Sequence, residues 1–212
     1  MSRTVLIHGF STGIQYSFLR AAHGFDAGFS AFASDIQEGK VSVFRWDIKE
    51  NATFWQSINP LYTFGVYRRE QKIVSEKETH ENLQKFLEQE KPEIVVCHSI
   101  GCLLFLEYIK TQSLPSSVKR VIFNQADTTW FDIELPLRIE KQIQSKTLQF
   151  INTYCPWDPT LMFSVFVGGA LRAGLVGIRH SHIENIFFAL TKPYNLHTSA
   201  IRSKKFRDWV IR

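Results

Sequence analysis

Residues 92–110 read PEIVVCHSIGCLLFLEYIK, and they place a buried strand directly before a buried helix. The β-branched run at 94–96 predicts the strand, and the apolar residues of 103–106 predict the helix. Only Cys-His-Ser-Ile-Gly, residues 97–101, remains for the turn between them. So tight a turn pushes Ser99 clear of the sheet in a strained backbone conformation, and it requires compact residues two positions to either side.

Apolar, β-branched runs alternate with helical patterns along the rest of the chain. This alternation predicts an α/β fold with a mainly parallel central sheet of about six strands, flanked by helices on both faces. The predicted strands lie near residues 3–8, 41–46, 93–97, 118–125, 147–153 and 183–189. The predicted helices lie near residues 14–34, 76–90, 100–112, 132–145, 160–172 and 198–210.

Two of these segments carry more specific local expectations. Ser75 and Glu78 form a capping-box pattern that starts the helix at 76–90, and Pro92 follows its end. The aromatic stretch at 51–69 has no clear period and is predicted to be a loop that walls a cleft.

Length and composition favour one domain over residues 1–212, with no internal repeat or linker. No run of 18 or more apolar residues is present, so we expect no membrane span. The chain starts MSRTVLIHGF, which enters an apolar strand without a leader pattern. Its three cysteines lack metal-type spacing, and together these features favour a reducing, cytoplasmic setting.

Two segments could contact a larger partner. The C-terminal segment 201–212 carries five basic residues and one acidic residue, so it could touch an anionic membrane or nucleic acid. A solvated helix face is the favoured interpretation, and without a nucleic-acid-binding motif we expect no nucleic-acid partner. The apolar, glycine-containing segment 162–177 is predicted to be a helix buried against the sheet, with a membrane-surface or subunit contact as the alternative.

The turn around Ser99 resembles the nucleophile elbow, G-x-S-x-G, of the α/β-hydrolase family. Gly101 matches that pattern, whereas Cys97 stands where glycine is usual. The alternative is that Ser99 only caps the following helix. The segment TVLIHGF, residues 4–10, is similar to the family's early strand and oxyanion loop. The resemblance therefore reaches well beyond the elbow.

This resemblance implies an oxyanion hole made by the backbone N–H groups of Phe10 and Ile100. His8 is expected to hold the loop before Phe10. His98, at the variable elbow position, is expected to touch the substrate or the cleft wall. Cys102 is expected to be an inert packing residue, as is Cys97.

The resemblance also implies an acid and a base. Asp158 follows the predicted strand in TLQFINTYCPWD, in the family's position for the acid, although an Asp-Pro turn explains it as well. Asp127 is the alternative acid, because some family members carry it after the preceding strand. His197 follows the last predicted strand, in the position of the base. Ser99, Asp158 and His197 thus stand in the family's order of nucleophile, acid and base.

Two other histidines are weaker candidates. His180 and His182 precede the last predicted strand, so they should lie at the opposite end of the sheet from Ser99. As a metal pair they lack a third ligand at suitable spacing. We therefore expect neither a metal nor another cofactor.

The implied activity is cleavage of a carboxylic ester or thioester in a small-molecule acyl substrate, through an acyl-enzyme intermediate. About twenty residues separate the strands at 118–125 and 147–153, where this family often inserts a lid, so a compact member without a large cap is expected. The alternative, which Cys97 leaves open, is a catalytically silent binding or scaffold protein. Aromatic side chains could line the open site: Phe10, Trp55, Tyr62, Phe64, Trp130 and Trp157.

Overall fold

A computed structural model describes the chain at residues 3–9, 15–16, 25–46, 51–52, 60–130, 133–188 and 196–212. Its strands are β1 (Thr4–Ile7), β2 (Gln15–Tyr16), β3 (Val41–Phe44), β4 (Asn51–Ala52), β5 (Ile94–His98), β6 (Arg120–Asn124), β7 (Gln149–Tyr154) and β8 (Glu184–Phe187). A 3₁₀ helix at Phe25–Phe32 precedes the α-helices. These are α1 (Ala33–Gln37), α2 (Pro60–Val74), α3 (Lys77–Glu90), α4 (Ile100–Thr111), α5 (Leu137–Gln144), α6 (Pro159–Gly168), α7 (Ala173–Val176), α8 (Leu196–Ser199) and α9 (Lys204–Ile211).

Six strands form one sheet in the order β3-β1-β5-β6-β7-β8, and every pairing between neighbours is parallel. The short strands β2 and β4 pair separately. Because parallel strands end at a common edge, β1, β5, β6 and β7 deliver the residues that follow them to one rim of the sheet.

Helices cover both faces of the sheet. Along β5, Val95 and Cys97 point into a core shared with α3 and α4. Val96 points the other way, into a core shared with the 3₁₀ helix and α9. This alternation has the two-residue period of a strand, and burial on both faces explains the continuous apolar run. The predicted α/β class is therefore confirmed, with all six predicted strands within two residues of their expected bounds.

The loop predicted at 51–69 is wrong from Pro60 onward, where α2 begins. Proline suits the first turn of a helix. The inward stripe of α2 consists of Val66, Glu70 and Val74, all fully buried. A glutamate in the middle of that stripe hides the helical period, because a charged residue is normally counted as exposed.

Several predicted boundaries are also wrong. Within the predicted helix at 14–34, residues 15–16 form β2, and 25–32 are 3₁₀ helix. The predicted capping box is not formed, because Glu76 is the N-cap of α3 and no side chain caps it. The predicted helix at 160–172 ends at Gly168, since Gly169 adopts a left-handed conformation. No helix in the described ranges is long and apolar enough to cross a membrane.

Candidate active site

Ser99 alone makes the turn between β5 and α4. Its φ is +56° and its ψ is −127°, a backbone conformation that is strained for any residue with a side chain. Its N–H donates to the Asn124 carbonyl at 3.1 Å, and its own carbonyl accepts from the N–H of Asp127 at 3.1 Å. The Ser99 side chain does not cap α4, so the capping interpretation does not describe it.

Two glycines let this turn pack against the end of β1. A Cβ at Gly101 would lie 2.4 Å from the His8 carbonyl oxygen, and a Cβ at Gly9 would lie 2.7 Å from the Ser99 Cβ. Real Cβ atoms do not approach so closely, so both positions require glycine. The turn is predicted to need a compact residue at position 101. Gly101 meets that need, because a side chain there would collide with the backbone at the end of β1.

His8 holds the end of β1, as predicted. The Trp46 N–H donates to its Nε2 at 3.3 Å, so Nδ1 carries the hydrogen and donates to the Gly9 carbonyl at 2.9 Å. The His8 ring also stacks on the Trp46 indole, 5.4 Å between centroids. Phe10, which follows Gly9, is predicted to supply an oxyanion donor, but it lies outside the described residues.

The carboxylate of Asp158 is fully buried and lies in the segment between β7 and α6, as the N-cap of α6. Its Oδ1 accepts from the N–H groups of Thr160 and Leu161, at 3.0 and 3.2 Å. Its Oδ2 accepts from Gln125 Nε2 at 2.8 Å and from His197 Nδ1 at 2.7 Å. Asp158 and Pro159 thus begin α6, the local role that an Asp-Pro pair suggests, and the same carboxylate also pairs with a histidine.

His197 lies in the short helix α8, with its ring against the turn. Its Nδ1 is bonded to Asp158, whereas its Nε2 is buried and has no hydrogen-bond partner among the described residues. Its ring centroid is 4.8 Å from that of His98, the residue before Ser99. A buried nitrogen without a partner is uncommon and calls for an explanation. Here the lone pair of that nitrogen is free to accept a proton.

His98 faces His197 and β6 and is not among the residues that line the cavity beside Ser99, and its expected contact with a substrate stays a prediction. Asn124 Nδ2 donates to His98 Nδ1 at 2.9 Å, and Thr153 Oγ1 donates to Asn124 Oδ1 at 3.0 Å. Burial, reinforced by the repulsion that a protonated His197 would exert, holds the pKa of His98 well below its usual value. His98 is therefore neutral and serves as packing against the His197 ring.

The alternative acid, Asp127, is held elsewhere. Its Oδ1 lies 3.1 Å from Arg172 Nε in a buried ion pair and accepts from Ser164 Oγ at 2.6 Å. Its Oδ2 accepts from the Tyr67 hydroxyl at 2.9 Å. Burial, aided by the charge of Asp127, raises the pKa of Tyr67 to about 12. It is thus Asp158, and not Asp127, that the structure brings to His197.

Tyr67, Ser164 and Arg172 were not singled out from the sequence. One signal was available for Arg172, which is the only charged residue in the apolar segment 162–177. A lone arginine in such a segment indicates a buried partner, because an unpaired charge is costly to bury. No comparable local signal exists for Tyr67, which lies in the unpredicted helix α2.

A cavity of about 100 Å³ opens beside Ser99. Its walls come from α2, the Ser99 turn, Asp127 and α6: Phe64, Tyr67, Ser99, Asp127, Thr160, Phe163, Ser164 and Val167. The hydroxyls of Tyr67 and Ser164 are bonded to Asp127, so the surface that remains for a ligand is mainly apolar. Of the aromatic residues expected to line the site, Phe64 does so, whereas Phe10 and Trp55 lie outside the described residues.

The remaining candidates are separate from this site. His180 bonds Glu140 of α5 at 3.3 Å, and His182 bonds Gln144 of the same helix at 3.1 Å. Both precede β8, so they lie at the amino-terminal end of the parallel strands, as predicted, whereas Ser99 lies at the carboxyl end. Within the ranges that the structure describes, no group of three or more His, Cys, Asp or Glu side chains could hold a metal ion.

The thiols beneath the turn are packing groups, as predicted. Cys97 and Cys102 are fully buried, and the Cys102 thiol donates to the Cys97 carbonyl at 3.3 Å. Burial raises the pKa of both thiols well above its usual value. Neither residue is therefore present as a reactive thiolate.

Comparison of the chain with protein-family models and with curated protein sequences finds no match. The chemistry of the site is therefore inferred from its own geometry. That geometry combines a strained serine, a buried aspartate and a histidine whose outer nitrogen is unoccupied, at the carboxyl edge of a parallel sheet.

Proposed function

We propose that this chain is a serine hydrolase that cleaves carboxylic esters or thioesters, as a compact member of the α/β-hydrolase family. The observation that carries the proposal is the state of the His197 ring. Its Nδ1 donates to buried Asp158 at 2.7 Å, and its Nε2 is buried without a hydrogen-bond partner among the described residues, in a ring that packs against His98, the residue before Ser99. A general base for a serine hydroxyl needs an imidazole oriented by a carboxylate with its outer nitrogen available, and these two features of His197 support the proposal.

The proposed reaction proceeds in two halves. His197 Nε2 takes the Ser99 hydroxyl proton as Ser99 Oγ bonds to the acyl carbon and the carbonyl electrons move onto oxygen. Collapse of this intermediate expels an alcohol or thiol, which receives the proton from His197. Water, deprotonated by His197, then attacks the acyl-serine. The carboxylic acid leaves, and Ser99 recovers its proton.

Asp158 would fix the tautomer of His197 and stabilise the imidazolium that forms. Three other donors, Gln125 and the N–H groups of Thr160 and Leu161, hold its carboxylate in place. Ile100 is the first residue of α4, so its N–H has no partner within that helix. This N–H would stabilise the oxyanion, where losing one donor typically costs roughly 2.7–4 kcal/mol.

The small, mainly apolar cavity supports a short acyl group as the bound part of the substrate. A dry apolar cavity of about 150 Å³ is enough to bind benzene, and the cavity beside Ser99 is smaller, at about 100 Å³. No step of this reaction requires a cofactor. The three cysteines are free and buried, which supports a reducing, cytoplasmic setting.

A fluorophosphonate probe tests the proposal directly, because it reacts with activated serines. We expect stoichiometric labelling of Ser99, loss of labelling in Ser99→Ala, and a large decrease in His197→Ala. Ser164→Ala is the matched control, since Ser164 lines the same cavity but is bonded to Asp127. If the folded wild-type chain stays unlabelled, the catalytically silent binding or scaffold protein is the better interpretation.

A further inference from the structure

The helix α6 presents apolar side chains to solvent. Phe166 is 86% exposed, Met162 is 57% exposed and Phe163 is 53% exposed. Trp157, just before the helix, is 64% exposed. The prediction that segment 162–177 is buried against the sheet holds for α7, where Ala173 and Leu175 are buried, and for Ser164 on the inner face of α6. It is wrong for the outer face of α6.

The exposed stripe borders the cavity beside Ser99. Thr160, Phe163, Ser164 and Val167 line that cavity, at the spacing of one helical face. Phe166 lies three residues after Phe163 and is its neighbour on the helix surface. Phe163 therefore belongs both to the cavity wall and to the exposed apolar stripe.

Within residues 155–171, no exposed side chain is charged. Between Cys155 and Leu171 the only charged residue is Asp158, which is fully buried. These exposed side chains therefore form a continuous apolar patch at the cavity mouth, which we call the α6 patch: Trp157, Met162, Phe163 and Phe166.

The opposite lip of the cavity, on α2, is basic. Arg68 and Lys72 are exposed there, whereas Glu70 is buried. The Arg68 guanidinium carbon lies 4.4 Å from the centroid of the Phe64 ring, and Phe64 lines the cavity. The mouth is thus bordered by the apolar groups of α6 and, through Arg68 on Phe64, by positive charge on α2.

We propose that the α6 patch and the basic lip of α2 together dock on a lipid bilayer that contains anionic lipids. Exposed aromatic and methionine side chains can enter the boundary between headgroups and acyl chains, while basic side chains meet the anionic headgroups. The charges at this surface have the sign that an anionic bilayer attracts, and the net charge of the chain is +5.

The size of the α6 patch argues against a second copy of the chain as its partner. Its four side chains expose on the order of 500 Å², from typical aromatic areas. Each partner in a standard protein interface contributes about 800 Å². A bilayer needs no complementary shape, so a small patch of protruding aromatic groups suffices.

The basic C-terminal helix α9 is a weaker candidate for this contact. Its Arg207 binds the buried carboxylate of Asp35 through two bonds of 2.7 Å and also bonds Asp208. Bonding to these two carboxylates raises the pKa of Arg207 above its usual value. The positive charge of Arg207, in the middle of α9, is therefore already paired with carboxylates of the chain itself.

Docking in this orientation would turn the cavity mouth toward the acyl chains of the bilayer. If Ser99 is the nucleophile, as proposed above, the substrates are then acyl esters that partition into membranes. This second step rests on the proposed hydrolase activity, whereas the binding itself does not. Vesicle binding by Ser99→Ala should equal that of the wild type.

Vesicle co-sedimentation tests the docking surface. We expect wild-type protein to bind phosphatidylcholine vesicles that contain about one fifth phosphatidylserine, and to bind pure phosphatidylcholine less well. Phe166→Asp should weaken binding at least about tenfold, because a charge replaces an inserted ring. Leu137→Asp is the matched control, since Leu137 is 64% exposed on α5 and does not line the cavity.

Three results would overturn the proposal. Wild-type protein could fail to bind the anionic vesicles, or Phe166→Asp could bind as well as Leu137→Asp. Sedimentation velocity could instead show a dimer that Phe166→Asp dissociates, which would assign the α6 patch to a second copy. Fluorophosphonate labelling of each variant in the absence of vesicles reports the hydrolase site separately.

Discussion

The Nδ1 of His197 lies 2.7 Å from Oδ2 of Asp158, although the two residues are 39 positions apart in the chain. The buried carboxylate receives three further bonds, from Gln125 and from two N–H groups of α6. A carboxylate held this firmly keeps the His197 ring in one orientation, with Nε2 turned away from Asp158. Of the two candidate acids, Asp158 and Asp127, it is therefore Asp158 that can assist His197 as a general base.

The two candidate acids should respond differently to the same substitution. Asp158→Asn leaves the shape of the site but removes the acceptor that fixes the His197 tautomer. We expect kcat for p-nitrophenyl acetate to fall by roughly 10⁴. Asp127→Asn should lower turnover far less, because Asp127 is bonded to Arg172, Ser164 and Tyr67.

Thermal unfolding supplies the control for this pair. Asp127→Asn breaks a buried ion pair with Arg172, so it should lower the free energy of unfolding by roughly 3–5 kcal/mol. A larger loss of turnover in folded Asp127→Asn than in Asp158→Asn would exchange the roles of the two aspartates.

Gly101 and Gly65 offer a matched pair of helical glycines. A Cβ at Gly101 would lie 2.4 Å from the His8 carbonyl oxygen, so Gly101→Ala must displace α4 or β1 and should destabilise the fold. A Cβ at Gly65 would meet nothing within 4 Å, so Gly65→Ala should stabilise by about 0.5–1 kcal/mol. Chemical denaturation measures both, and equal effects would show that the turn does not need glycine.

The Ser99 turn could be predicted from the sequence because its constraints are local. A strand, a tight turn and a helix follow one another, and Gly101 allows close contact with the end of the adjacent strand β1. Asp158 and His197 could be placed through the resemblance to the α/β-hydrolase family, which carries its acid and base in this order after successive strands. Parallel strands bring such residues to one edge of the sheet. Their contact follows from the fold and not from their spacing.

The Asp127 cluster could not be predicted, because its members come from three distant segments. Asp127 follows β6, Arg172 follows α6, and Tyr67 belongs to α2, a helix disguised by the buried Glu70. The exposure of Phe166 was equally hidden. An apolar helix without charged residues has the pattern of a buried helix, and only the packing of its neighbours shows which face is left uncovered.

The buried, neutral His98 makes a prediction about pH. Its pKa in the folded state is held well below 6.5, whereas the unfolded chain binds a proton near that value. As the pH falls below about 6.5, the unfolded state gains protons that the native state does not, so the free energy of unfolding decreases. We expect His98→Asn to remove this contribution to the pH dependence of the free energy of unfolding. Urea denaturation between pH 8 and pH 5 measures it.

The same measurement separates titration from packing. A lost contact with Asn124 or His197 would lower the stability of His98→Asn equally at every pH. If the titrating group is lost, the difference in free energy of unfolding between the wild type and His98→Asn instead shrinks as the pH falls. Parallel curves over the whole range would therefore contradict the assignment of a depressed pKa to His98.

The depth of the cavity should limit the length of the acyl chain. Val167 lines the cavity from α6, and Val167→Phe would fill part of its volume of about 100 Å³. We expect kcat/KM for p-nitrophenyl hexanoate to fall at least about tenfold relative to acetate, because an overfilled apolar pocket costs more than one kcal/mol. Val165→Phe is the control, since Val165 lies on the same helix outside the cavity. An equal change in both variants would mean that the acyl group binds elsewhere.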